Sequence, residues 1–222
     1  MVSPDYMGGI CGYNKDGIII RAVNNSIPAV NAHSGRDRYI GGVASVNDGG
    51  YILLSGSAVK AGNKTTKGLT AGGIVATNSG VVENCYVDAY HMYMHEATKV
   101  PGPDTKQWIR NATGEIVDNY GTVRNCVFKI YTVYADGTIY TNTYAVRKTH
   151  EGGKVENCTV LGSTTSQFFS CDQYHSGASL GEPTLTVGNV ATYRTNCYVF
   201  ANVDDLKAGN GGKYNADGSI TA

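Results

Sequence analysis

Short apolar runs, each closed off by glycine or asparagine, recur in one order along this chain of 222 residues. Three copies superimpose without a gap: NSGVVENC (Asn78 to Cys85), NYGTVRNC (Asn119 to Cys126) and EGGKVENC (Glu151 to Cys158). VATYRTNC (Val190 to Cys197) is a worn fourth. GYNKDGIIIRAV (Gly12 to Val23) and SVNDGGYILLSGS (Ser45 to Ser57) are earlier copies without the cysteine. A glycine pair opens the first three units, at Gly8-Gly9, Gly41-Gly42 and Gly72-Gly73. Self-similarity at about 30 residues, with no helical period, predicts short strands stacked coil upon coil as a β-solenoid, because one such unit cannot bury its apolar face alone.

Inside each copy the alternation breaks at a fixed place. Val82, Val123 and Val155 precede the Asn-Cys pair, and Val87, Phe128 and Val160 lie two residues past the cysteine. In a regular strand Cys85 and Val87 share one face while Val82 falls on the other. A chain that buries all three must bend between them. The expected hinge is Asn84, Asn125, Asn157 and Asn196, whose amides could stack as a ladder bonding from coil to coil. Upstream, the Asn-x-Gly or Gly-Gly step is expected to form another corner through positive φ, which glycine adopts freely and asparagine tolerates.

Cys85, Cys126, Cys158 and Cys197, with Ala22 and Ser55 in the equivalent places of the first units, read as a row of small side chains in a narrow buried slot. Ligands supplied singly at ~4.8 Å strand spacing would lie in a line rather than around a zinc tetrahedron. Neighbouring Cα atoms would meet the ~4.4–6.8 Å requirement of a disulfide, but parallel in-register Cβ vectors disfavour one. The row is therefore expected to be reduced thiols acting as small hydrophobes. Cys11 and Cys171 stand off it.

Helix formers are sparse and Gly, Asn, Thr, Val and Tyr abundant, which makes the fold class all-β. The 18 basic and 18 acidic residues cancel and form no basic run, which argues against nucleic acid or an anionic membrane as partner. No apolar stretch approaches the ~20 residues of a membrane span, and MVSPDYMGG does not read as a signal peptide. Residues 1–203 are expected to form about six coils. Residues 204–222 read as a cap or the start of a truncated further element, with Asp204-Asp205-Leu206-Lys207 as a helical turn led by acids.

GGIVATNSGVVENCYV (Gly72 to Val87) resembles the GLUG motif, found in tandem in bacterial secreted and cell-surface proteins, through its glycine pair, Asn-x-Gly corner and Asn-Cys pair in that order. The other copies follow with decreasing fidelity from Gly8 to about Val199, and Arg194 stands at the valine position of the last. The resemblance implies a right-handed parallel β-helix in an exported protein, extracellular or at the cell surface, often with adhesin or carbohydrate-active modules. It implies no catalytic residue.

Function on such a scaffold usually lies where the repeat is interrupted. The excursion Asp88 to Ala112 holds Tyr90, His91, Tyr93, His95 and the only tryptophan, Trp108. The next, Lys129 to His150, contains KIYTVYADGTIYTNTYAV, where Asp136-Gly137 predicts a hairpin pairing Val133 with Tyr140 and Tyr134 with Ile139. A third, Ser163 to Val187, carries Phe168, Phe169, Cys171, Asp172, Tyr174 and His175. The first two leave consecutive coils at the same point. That places Trp108, Tyr90, Tyr93, Tyr131, Tyr134, Tyr140 and Tyr144 in one neighbourhood, able to hold a sugar ring or to pack onto the scaffold.

His91 and His95 share a face on a helix or a strand but lack the glutamate of a zinc-protease motif, so no metal is expected. Asp88, Glu96, Asp104, Glu115, Asp118, Asp136 and Asp172 are dispersed, and Asp104 with Lys106 and Arg110 is the best charged cluster. Nucleophile elbow, phosphate loop and dinucleotide fingerprint are absent, and no cofactor is expected. The sequence thus points to a non-catalytic structural or adhesive module whose excursions meet a glycan or a cell-surface protein. The alternative is a carbohydrate-binding or carbohydrate-cleaving β-helix using the Trp108 and tyrosine cluster.

Overall fold

The computed structural model describes residues 6–25, 29–30, 38–57, 60–63, 69–89, 91–94, 112–130, 133–135, 138–140, 145–162, 169–171, 194–215 and 220–221. The fold is all-β with parallel sheets, and each repeat gives a strand to three of them in turn. The first sheet takes Arg38–Gly41 with Ala44–Asp48, then Leu69–Asn78, Ala112–Asn119, Val146–Thr149 and Phe169–Cys171. Its outermost strands are Tyr6–Gly8 and Cys11–Lys15. The second runs Ile18–Ile20, Tyr51–Leu53, Val81–Glu83, Thr122–Arg124, Lys154–Glu156, Arg194–Thr195. The third runs Val23–Asn24, Gly56–Ser57, Tyr86–Ala89, Val127–Ile130, Thr159–Leu161, Tyr198–Phe200.

Equivalent residues pair in register from repeat to repeat. Ile19, Ile52, Val82, Val123, Val155 and Arg194 form one row. Asn24, Ser57, Val87, Phe128, Val160 and Val199 form another. The second and third sheets meet at a left-handed corner, where Asn84, Asn125, Asn157 and Asn196 have φ of 54°, 55°, 53° and 51°. Asparagine tolerates this conformation better than other residues with a side chain. Arg21 and Leu54 occupy the same corner in the first two repeats at φ 54° and 48°. The corner reverses parity, so Val82, Cys85 and Val87 all turn inward and are buried. They join Ile52, Ile74, Ile116, Phe128, Val146 and Val160 in one apolar core.

At the upstream corner the expected positive φ is present at Asp16, Gly49 and Gly152, with φ of 52°, 67° and 83°, and is absent from the two repeats between Gly49 and Gly152. No residue of Asn78-Ser79-Gly80 or Asn119-Tyr120-Gly121 has positive φ. Glycine is needed there for room: a Cβ on Gly80 would overlap the Gly50 carbonyl oxygen, and one on Gly121 the Gly80 carbonyl oxygen. The repeats stack through these glycines at backbone contact.

A small parallel sheet joins Ala29–Val30 and Lys60–Asn63 to His91–Met94, the last of which lies in the first excursion. Val133–Ala135 and Thr138–Tyr140 form the predicted hairpin, with Val133 opposite Tyr140 and Tyr134 opposite Ile139. Near the C-terminus the helix Val203–Ala208 is capped by Asn202, whose side chain accepts the Asp205 N–H at 2.9 Å, and ends at Gly209 with φ 74°. Gly212–Tyr214 and Ile220–Thr221 then extend the third sheet in antiparallel fashion.

Candidate functional site

Two rows of side chains run through the interior, and they are distinct from one another. Asn14, Asn47, Asn78 and Asn119 each lie at or next to the end of a first-sheet strand and point inward. Asn14 donates to the Asn47 side-chain oxygen at 2.7 Å, Asn47 to that of Asn78 at 2.8 Å, and Asn78 to that of Asn119 at 2.9 Å. Asn119 closes the row by donating to the Lys154 carbonyl at 3.1 Å. All four are buried. In the first three of these repeats the same amide also meets the backbone of its own turn, as Asn47 does at the Gly50 carbonyl (3.0 Å). The hinge asparagines stand outside: Asn84, Asn125, Asn157 and Asn196 are exposed, and Asn157 donates to Asn125 at 3.3 Å. The continuous amide ladder therefore belongs to Asn14, Asn47, Asn78 and Asn119 rather than to the hinge asparagines.

The cysteine row is buried and its thiols are free. Each sulfur reaches the carbonyl two residues back and a carbonyl of the preceding repeat. Cys85 lies 3.3 Å from the Glu83 oxygen and 3.4 Å from that of Ile52, and Cys126 lies 3.2 Å from Arg124 and 3.7 Å from Val82. Burial and the Cys126 thiol beside it hold Cys158 well above the usual thiol range. Thiols shielded from solvent are not reached by a reagent. Brief treatment of the native protein with a thiol reagent is expected to label Cys11 and leave Cys85, Cys126, Cys158 and Cys197 unmodified until denaturant is added. Peptide mass spectrometry reads the outcome, and native labelling of the row would show that it opens.

A third interior feature has no counterpart in the repeats. Glu115 on strand Ala112–Asn119 is fully buried, and neither carboxyl oxygen has a hydrogen-bond partner. It follows Gly114, which pairs with Gly72, at a break in the register with the neighbouring strand. The carboxyl fills the space left by the missing side chain of Gly73, where a Cβ would overlap it. Burial, with a smaller contribution from Asp88, pushes its pKa from 4.5 up to about 8. The buried Ser57 hydroxyl is the other orphaned side-chain polar group among the described residues. Sequence reasoning counted Glu115 among scattered acids. The missing signal was its place where the earlier repeats have the second glycine of a pair.

Outside, charges pair across neighbouring repeats, Arg124 with Glu83 at 2.8 Å and Lys129 with Asp88 at 3.3 Å, and the His150 ring, stacked on Tyr120, meets Asp118 at 3.0 Å. Among the described residues no group of three or more His, Cys, Asp or Glu is arranged for a metal ion. Of the tyrosine and tryptophan cluster, Trp108, Tyr90, Tyr131 and Tyr144 lie outside the described residues, as do His95, Asp104, Lys106 and Arg110. Tyr93 sits on strand His91–Met94, Tyr134 and Tyr140 on the hairpin, and the hairpin strand Val133–Ala135 lies against His91–Met94. A second aromatic group escaped sequence reasoning. Tyr6 stacks on Tyr39 with centroids 5.6 Å apart and meets Tyr13 edge-on at 5.6 Å, and Tyr13 donates to Asp48 at 2.8 Å. Searches by sequence and by fold find no matching family model, no matching curated protein and no matching solved structure.

Proposed function

We propose that the chain is a β-solenoid, wound as a right-handed parallel β-helix, and serves as a non-catalytic structural or adhesive module of an exported bacterial protein. The observation that carries the reading is the in-register pairing of equivalent residues through successive repeats, with interior amides joined from Asn14 to Asn119. Such an interior gives its polar groups to holding repeats together rather than to a reaction. The bacterial and exported character rests on the resemblance to the GLUG motif alone.

A second reading is that the excursions bind carbohydrate. It is supported by the contact between the strands that carry Tyr93 and Tyr134, and by the exposed Tyr6 and Tyr13 beside Tyr39. Aromatic faces with polar rims suit sugar rings. A glycan array separates the readings. The scaffold reading expects no specific binding by the isolated chain. Binding lost in Trp108→Ala would place a lectin-like site on the excursions, and binding lost only in Tyr13→Ala would place it on the first sheet.

A further inference from the structure

Glu115 stands where the first excursion rejoins the stack. That excursion leaves from strand Tyr86–Ala89, and the chain re-enters the first sheet at Ala112–Asn119. The pairing of this strand with Leu69–Asn78 falls into two parts. Ala112, Thr113 and Gly114 lie opposite Thr70, Ala71 and Gly72, and after a break in register Ile116, Asp118 and Asn119 lie opposite Val75, Thr77 and Asn78. Glu115 is the residue at the break. A strand whose ladder is interrupted at one point can part there.

Beyond the break the strand is fixed. Ile116 belongs to the apolar core and donates its N–H to the Ala145 carbonyl at 3.0 Å, and Asn119 is a member of the buried amide row. Among the described side chains of this strand, the first to enter the interior is that of Glu115. Its carboxyl fills the space over Gly73, and Val87, on the strand from which the excursion leaves, borders the same space. Both feet of the excursion thus meet at one carboxyl.

The surroundings offer that carboxyl no counter-charge among the described residues. Asp88, the charged group that bears on it, has the same sign and is engaged by Lys129 at 3.3 Å. Asp118, on its own strand, meets His150. The Ser57 hydroxyl, in register with Val87, makes no bond to it. A carboxylate in this space is therefore costly, and moving the foot outward is the local way to relieve it.

We propose that Glu115 is a proton-controlled latch on the returning foot of the first excursion: when its carboxyl ionises, residues 112–114 part from residues 70–72 and swing about the break in register, while residues 116–119 stay in the stack. The inference is independent of what the excursions bind. In the closed foot the carboxyl keeps its proton up to about pH 8, and once exposed it releases it near 4.5. Opening is thus coupled to the loss of one proton between those values. The open fraction is smallest below pH 4.5, rises about tenfold per pH unit above it, and levels off beyond about 8.

Amide hydrogen exchange read by peptide mass spectrometry from about pH 5 to about pH 9, corrected for the intrinsic effect of pH on exchange, tests the latch. The peptide covering residues 112–115 is expected to lose protection about tenfold per pH unit up to about pH 8. Small additions of urea should leave its exchange unchanged, because the opening uncovers little surface. Strand Thr122–Arg124 should exchange more slowly and only through urea-sensitive unfolding. Glu115→Gln is expected to abolish the pH dependence at residues 112–115, and Asp88→Asn to keep it. A pH dependence that persists in Glu115→Gln overturns the proposal. So does a wild-type protein without one, or one in which residues 112–115 exchange together with Thr122–Arg124 at the same urea sensitivity, since that opening is global.

Discussion

Replacing Glu115 with glutamine is expected to stabilise the fold by about 3 kcal/mol near neutral pH and to change little in acid. The folded protein holds a proton on this carboxyl up to about pH 8, whereas the unfolded chain releases it near 4.5. Between those values the native state binds a proton that the unfolded state does not. The contribution is therefore fully present below pH 4.5 and is lost progressively as pH rises through about 8. Glutamine keeps the shape and an uncompensated polar end in the same apolar space but cannot ionise, so the comparison isolates the charge. Urea titrations of both proteins across this range read the effect. Parallel stability curves would mean that the carboxylate finds water or a cation in the folded state, and that the interior is open beside Gly73.

The second large effect is expected at Asn78. Its side chain accepts from Asn47 at 2.8 Å, donates to Asn119 at 2.9 Å and meets the Gly80 carbonyl at 3.3 Å, all in the buried interior. Asn78→Ala removes the middle of the row and leaves Asn47 and Asn119 each short of one partner away from water. A loss of about 2–4 kcal/mol follows from the desolvation of the stranded groups. Asn125→Gly is the matched control. Asn125 is exposed, its bond with Asn157 is 3.3 Å long, and glycine adopts φ of 55° without strain, so a change within about 0.5 kcal/mol is expected. Equal losses at the two sites would mean that the outer pair carries as much of the fold as the buried row.

These sites mark both where the sequence was readable and where it was not. The parity conflict among Val82, Cys85 and Val87 has one local solution, a bend, and asparagine before the cysteine is the residue that tolerates it. The hairpin at Asp136-Gly137 is likewise a local matter, set by turn geometry and alternating side chains. What was not legible depends on contacts between repeats. Two repeats offer two asparagines, Asn78 with Asn84 and Asn119 with Asn125, and which one faces inward is fixed by the direction of the first-sheet strand as it reaches the turn. The glycines at positions 80 and 121 looked like positions of unusual φ, but the demand for glycine comes from the backbone of the repeat before. Glu115 was hidden for the same reason. A carboxyl can be buried there because Gly73, far off in sequence, leaves room for it.

The register also bears on how such a chain can change over generations. Successive members of the buried asparagine row are 33, 31 and 41 residues apart, yet their bonds are 2.7, 2.8 and 2.9 Å long. The differences in length fall at one joint of the repeat, between the strand it gives to the third sheet and the next strand of the first. Residues 58–68 occupy that joint after one repeat and residues 90–111 after the next. Segments of different length fit there without disturbing a rung on either side, while Lys60–Asn63 and His91–Met94 within them pair in register with one another. Changes in length at that joint would alter the segments outside the rungs while the rungs stay under the constraint of their neighbours.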